Sequence, residues 1–112
     1  MTPEDIVNTA DKVRPNIVAH DTKLGWVDVI EKQVREHMTR FNETTMENDT
    51  EVLSLGSEYK DMYVYYVVSM IDLTNLDIAM YNNSTAFFNE MFTSWQKKWR
   101  REHMPNTGGG DA

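Results

Sequence analysis

Apolar side chains recur with a helical period along most of this chain, and the longest such run lies near its C-terminal end. Between Asp77 and Arg101, the residues Ile78, Tyr81, Thr85, Phe88, Phe92, Trp95 and Trp99 succeed one another in steps of three and four. That spacing predicts one continuous helix, about 37 Å long, with a single aromatic seam. Each buried aromatic ring removes roughly 150–250 Å² from water. At about 25 cal/mol per Å², a ring contributes up to about 4–6 kcal/mol against an extended chain. A lone helix cannot bury a seam of this kind, so other helices must cover it. We take Ile78, Tyr81, Phe88, Phe92 and Trp95 as its core.

Three companions are predicted. Thr2-Pro3-Glu4-Asp5 reads as a helix start, with a capping threonine, a proline in the first turn and two acids at the positive end of the dipole. Ile6, Ala10 and Val13 then share a face with Val7 beside it, and Pro15 ends the helix near Val13. Asn16 to His20 reads as a connector. Asp21 or Thr22 caps a second helix, whose apolar stripe is Leu24, Val27, Ile30, Val34, Met38 and Phe41, flanked by Trp26.

The third companion is Tyr59 to Thr74. Its β-branched and aromatic content favours a strand. Its length, and the three-and-four stepping of Tyr59, Met62, Tyr63, Tyr66, Met70 and Leu73, favour a helix. We assign helix. Val64 to Val68 is apolar almost all round, which places this helix at the centre of the bundle or in a subunit interface. Asn75-Leu76-Asp77 is the expected turn into the long helix, with Asn75 tolerating a left-handed C-cap and Asp77 capping the helix beyond. Asn82-Asn83-Ser84 is the competing break, but the seam runs in phase through it.

Between the second and third helices, Asn42 to Ser57 is polar, acidic and long for a connection in a compact domain. Val52-Leu53-Ser54-Leu55 within it suits a short strand or hairpin, paired inside the loop or with a neighbouring chain. Met104-Pro105 closes the last helix, and 106–112 is an expected flexible tail. The fold class is therefore all-α: one domain over 1–105, a small bundle of about four helices with a long loop between helices 2 and 3, and an extended C-terminal tail.

Charge and chemistry narrow the function classes. A net charge of −7 argues against general nucleic-acid affinity, which needs a basic surface. The same charge serves solubility, or a surface past which DNA must slide. With no cysteine there is neither a disulfide framework nor a thiolate metal site. The acidic first ten residues lack the apolar core of a signal peptide, and no window is apolar enough for a membrane span. His20, His37 and His103 have no metal-ligand spacing, and no phosphate loop, dinucleotide fingerprint or nucleophile elbow is present. We therefore expect no enzyme, no metal and no cofactor. Gln96-Lys97-Lys98-Trp99-Arg100-Arg101 combines cations that complement the helix dipole with the tryptophan and arginine enriched at interface hot spots.

These residues also form a pattern. Tyr59, Met62, Tyr63 and Tyr66, then Ile71-Asp72, Asn75 with Asp77, Tyr81-Asn82-Asn83-Ser84, Phe88-Asn89, and Arg101, His103 and Pro105 stand in that order. Arg14-Pro15-Asn16 and Thr22-Lys23-Leu24-Gly25-Trp26 precede them. The arrangement resembles the small head–tail connector (adaptor) proteins of tailed bacteriophages, especially those infecting Gram-positive bacteria. The likeness covers most of the chain outside the acidic loop. Leu76 departs from it, standing where the family pattern has glycine.

The resemblance implies a viral structural protein that assembles into a homo-oligomeric ring, usually of twelve copies, beneath the portal vertex. It implies docking onto the portal protein through Trp99, Arg100, Arg101, His103, Met104 and Pro105, with a stopper or tail-completion protein at the opposite end. Double-stranded DNA passes through the lumen without sequence-specific binding. Glu47, Asp49, Glu51, Val52, Leu53 and Leu55 would contact neighbouring subunits or line that channel. The implied location is the virion neck, with assembly in the host cytoplasm. The alternative reading of the same features is a small soluble helical-bundle module for protein binding or regulation. A hydrolase assembled from scattered carboxylates is the remote third.

Overall fold

The computed structural model describes residues 1–42 and 52–103, with the side chains of 41 and 42 outside that set. Four helices fill it: α1 (Pro3–Val13), α2 (His20–Asn42), α3 (Lys60–Thr74), introduced by a 3-10 turn at Ser57–Tyr59, and α4 (Ile78–His103). The seam predicted the longest one. α4 runs 26 residues, about 39 Å, unbroken through Tyr81 and Ser84.

α1 begins as its sequence dictates. The Asp5 amide donates to Thr2 Oγ1 at 3.2 Å while Asp5 Oδ2 accepts from the Thr2 amide at 2.9 Å, a reciprocal capping box. These two bonds hold the Asp5 carboxyl below the usual carboxylate range, the Thr2 backbone bond contributing most. The helix buries Ile6, Val7 and Ala10 completely, and Val13, in its last turn, is exposed. α2 starts at His20, one or two residues before the expected caps, because the Ala19 carbonyl already accepts from the Lys23 amide at 3.2 Å. Of its stripe, Val27, Ile30, Val34 and Met38 are buried, while Leu24 and Trp26 are half-buried.

α3 is the central helix. It packs on α1, α2 and α4, whereas α1 and α4 lie on different flanks of it and do not pack on each other. That position explains why its apolar residues leave no polar face: Met62, Tyr63, Val64, Val67, Val68 and Ile71 are all enclosed. Propensity for strand loses here to burial on three sides.

The α3–α4 turn falls where expected but uses a different residue. Asn75 stays at φ −80, and Leu76 takes the left-handed conformation at φ 58. The Leu76 amide bonds the Leu73 carbonyl and the Asp77 amide the Asp72 carbonyl, both at 3.0 Å, which together make a Schellman C-cap. Asp77 then caps α4 through Oδ1 and the Met80 amide at 3.1 Å. A left-handed leucine is strained by its Cβ, and Leu76 is 80% exposed, so it recovers nothing by burial. Leu76→Gly is expected to stabilise the chain by about 0.5–1 kcal/mol, read as a raised urea midpoint.

Two expectations are corrected. Val52–Leu55 forms no strand among the described residues. Its backbone groups are used otherwise: the Leu53 amide donates to the Met1 carbonyl at 2.9 Å and the Ser54 amide to Glu31 Oε2 at 3.0 Å. Leu53 and Leu55 point inward, each under 8% exposed, as plugs in the chain's own core, and only Val52 faces solvent. Ile78, counted in the core seam, is 56% exposed, because it is the first residue of α4, directly after the exposed α3–α4 turn. Enclosure of the seam begins at Ser84 and runs through Phe88 to Trp95, with Tyr81 and Phe92 half-buried.

Candidate interaction surfaces

Among the described residues three charged groups are buried, and together they tie the helices and their loops. Asp72, 1% exposed, accepts from Arg14 Nε at 2.7 Å and from the Ser84 hydroxyl at 2.9 Å, joining the ends of α1 and α3 to α4. Lys23, 5% exposed, donates from Nζ to Asp11 at 2.7 Å and to Asn16 Oδ1 at 3.1 Å. Burial pushes the Asp11 carboxyl up, but the bonds from Lys23 and Asn16 outweigh it and hold it below the usual range. Glu31, the third, accepts from Tyr63 Oη at 2.7 Å, from Arg35 Nε at 2.9 Å, and from both the amide and the hydroxyl of Ser54. Buried ions are tolerated where every lone pair is satisfied in this way.

The molecule that results has two unlike ends. One is the tip of α4, where neighbouring rings form a continuous ladder, stacked at its two ends and tilted between. Phe88 lies on Phe92 at 5.3 Å, Phe92 on Trp95 at 5.7 Å, Trp95 on Trp99 at 6.2 Å, and Trp99 on His103 at 3.5 Å with an interplanar angle of 13°. His103 Nδ1 donates to the Trp99 carbonyl at 3.0 Å, which locks that last stack. Trp99 Nε1 is enclosed without a hydrogen-bond partner among the described residues. Lys97, Lys98, Arg100 and Arg101 are exposed around the ladder. Trp99, Arg100, Arg101 and His103 are thus brought together at one end as an aromatic face edged by cations. Met104 and Pro105 lie outside the described residues, as do Glu47, Asp49 and Glu51 of the acidic loop and the tail over 106–112.

α2 supports this ladder through His37, which is 6% exposed. Its Nε2 donates to the Gln96 carbonyl at 3.2 Å, and its ring sits 5.1 Å from Trp95. Burial lowers its pKa below the ordinary value of 6.5, with Arg40 and Arg100 adding to the effect and the Gln96 bond opposing it. The native state therefore resists a proton that the unfolded chain accepts. Stability contributed by neutral His37 is full above about pH 6.5 and drains away as pH falls below it. The urea midpoint is expected to fall between about pH 7 and pH 5.5, and His37→Phe should flatten that slope.

The opposite end consists of the 14–19 connector and the α3–α4 turn. Of the eight exposed large hydrophobic side chains among the described residues, five sit in or beside these loops: Val13, Ile17, Leu73, Leu76 and Ile78. Ile17 and Leu76 carried no signal in the sequence, because single apolar residues in loops have no period to detect, whereas Val13, Leu73 and Ile78 keep a helical period but stand at helix ends. The buried charges were missed for the related reason that Glu31 and Asp72 read as ordinary polar positions in a helix.

A shallow cleft of about 340 Å³ opens between the start of α3 and α4, with Tyr59 and Met91 in its floor and Glu58, Asp61 and Glu90 on its rim. Among the described residues, no group of three or more histidine and carboxylate side chains is placed to hold a metal ion, and no helix is long and apolar enough to cross a membrane. Comparison with protein-family models, with curated proteins and with solved structures gives no match to this chain.

Proposed function

We propose that this chain is a neck connector of a tailed bacteriophage, a ring-forming structural protein between the portal and the tail-side proteins. The observation that supports this reading best is the two-ended build. A cation-edged aromatic ladder closes one end of the 26-residue α4, and apolar side chains cluster at the other end of the molecule. A protein that joins two partners along an axis needs a distinct grip at each end. In this reading Trp99 to Pro105 docks onto the portal, the stopper or tail-completion protein binds on the far side, and DNA passes through the lumen. The net charge of −7 suits a channel that must not hold DNA. No catalysis is part of the role, and the protein acts in the virion neck after assembly in the host cytoplasm.

The test is attachment to purified portal rings. Deleting the residues after Arg101 removes His103 from its stack on Trp99 and leaves the enclosed part of the bundle, Ile6 to Trp95, untouched. The truncated chain is expected to keep its helix content and melt within a few degrees of the full chain, while portal attachment is lost. Attachment of the full chain should weaken with added salt, since its cations are exposed. Undiminished attachment of the truncated chain overturns the docking assignment.

A further inference from the structure

The cleft between the start of α3 and α4 combines an apolar floor with a charged rim. Met62 and Trp95 are enclosed in its lining, while Tyr59 and Met91 are half-buried and present the apolar surface that solvent reaches. One turn before Met91 on α4, Phe87 is 56% exposed, with its ring 5.5 Å from that of Tyr65. Apolar surface therefore continues from the cleft along the outside of the α3–α4 pair.

Three carboxylates, Glu58, Asp61 and Glu90, stand on the rim against one cation, Lys98. Among the described residues, none of these four side chains takes part in a hydrogen bond or an ion pair. Glu58 and Asp61 lie at the positive end of α3, and the helix dipole accounts for both. Glu90 has no such role. It lies in the middle of α4, where the residues one turn away on its helix, Ala86, Phe87, Thr93 and Ser94, offer it no countercharge. The rim is thus a negative border around apolar surface, and its complement is a cation on an apolar support.

Size and charge together identify the occupant. At about 340 Å³ the cleft is at the small end of pockets that enclose a free ligand, roughly 300–1,000 Å³. It is shallow, so it takes one or two side chains of something larger, and Phe87 extends the contact beyond it. The rim repels phosphate, which excludes nucleic acid. What fits is a polypeptide segment with an apolar side chain for the floor and an arginine for the rim. The planar guanidinium pairs with carboxylates and lies flat on an aromatic ring, which Tyr59 supplies. We propose that the cleft is a docking site for such a segment of a different protein, with its apolar side chain on Tyr59 and Met91 and its guanidinium among Glu58, Asp61 and Glu90. The proposal goes beyond the neck reading and does not depend on it, since Trp99 and His103 of the α4 tip do not line the cleft.

The methionines supply the readout. Met62 and Met91 are two of eight in the chain, so NMR of isotope-labelled methionine methyl groups places two reporters in the cleft and leaves the others as controls elsewhere. The full chain is titrated with the blocked dipeptide acetyl-leucyl-arginine amide and with its citrulline analogue, which keeps the shape and lacks the charge. The arginine peptide is expected to give saturable shifts at Met62 and Met91 and not at the other methionines. Each exposed carboxylate contributes about two- to fivefold, so the citrulline analogue should bind about tenfold more weakly. Glu90→Gln removes one charge and no internal bond; it should weaken the arginine peptide by about two- to fivefold with helix content unchanged. Equal binding of the two peptides, unchanged binding by Glu90→Gln, or shifts spread over all the methionines overturns the proposal. So does the lack of a saturable shift up to about 50 mM peptide. A dilution series without peptide comes first: shifts at Met62 and Met91 that follow protein concentration mean that a second copy covers the cleft, and they overturn the proposal as well.

Discussion

Replacing Trp95 with alanine is expected to lower the stability of this chain by about 3–5 kcal/mol. Trp95 is 3% exposed and stands where three groups of rings converge: Phe92 at 5.7 Å and Trp99 at 6.2 Å along α4, and His37 at 5.1 Å from α2. Truncation removes the indole from all of them and opens a hole between α2 and the start of α3. The His37 bond to the Gln96 carbonyl fixes α2 against α4, so collapse of α2 into the hole breaks that bond or strains it. For a domain of about 100 residues the expected loss lowers the melting temperature by roughly 12–30 °C. Phe87→Ala supplies the control, because Phe87 is 56% exposed and its ring meets that of Tyr65 at 5.5 Å on the outside of the bundle; its loss should stay under about 1 kcal/mol. A Trp95→Ala loss that small would mean the ladder is not enclosed by α2 and α3, and the core assignment would fall with it.

The contrast between Trp95 and Phe87 shows what a sequence pattern conveys. Residues that share a face over many turns reveal that face by their period, so Phe88, Phe92 and Trp95 could be placed in the core before any coordinates, and Phe87, one position off, could be left outside. The same logic found α3 in spite of its strand-like composition, since length and spacing outweigh propensity. It failed wherever a residue acts alone. Ile78 keeps the period but opens α4 directly after the exposed turn, and period says nothing about where along a helix burial begins. Leu53 and Leu55 resembled a strand fragment because alternation is shared by strands and by loops that dip into a core. Leu76 was placed in the turn, but a turn sequence does not say which of its residues adopts positive φ. The basic tip was identified by composition, whereas the stack of Trp99 on His103 depends on the α-helical spacing of four, which the sequence contains, and on ring orientations, which it does not.

The polar centre of the fold lay furthest from the pattern, and it yields the second large effect. Glu31→Ala is expected to cost about 3–5 kcal/mol, comparable to losing Trp95 although no aromatic surface is removed. The carboxylate is 4% exposed and has partners from three directions: the Arg35 guanidinium on its own helix, the Tyr63 hydroxyl on α3, and Ser54 in the segment that carries the Leu53 and Leu55 plugs. Burial, and then the bond to Glu31 and its negative charge, push the Tyr63 hydroxyl far above its ordinary range, so it stays a neutral donor at any working pH. Removing the carboxylate orphans that donor and takes the adjacent counter-charge from Arg35, in a site shielded from water, and each loss carries its own desolvation penalty. It also unties the Ser54 amide, so the 52–56 segment should become the first site of proteolytic cleavage. Tyr63→Phe removes one donor and leaves the ion pair with Arg35 in place, and should cost only about 1 kcal/mol. Combining the two separates the contributions: with the hydroxyl already gone, Glu31→Ala orphans one group fewer, and the double variant should be less damaged than the sum of the singles by about 1–2 kcal/mol. Strict additivity in urea unfolding would show that Tyr63 and Glu31 are not coupled, and that the Glu31→Ala loss comes from its other partners, Arg35 and Ser54.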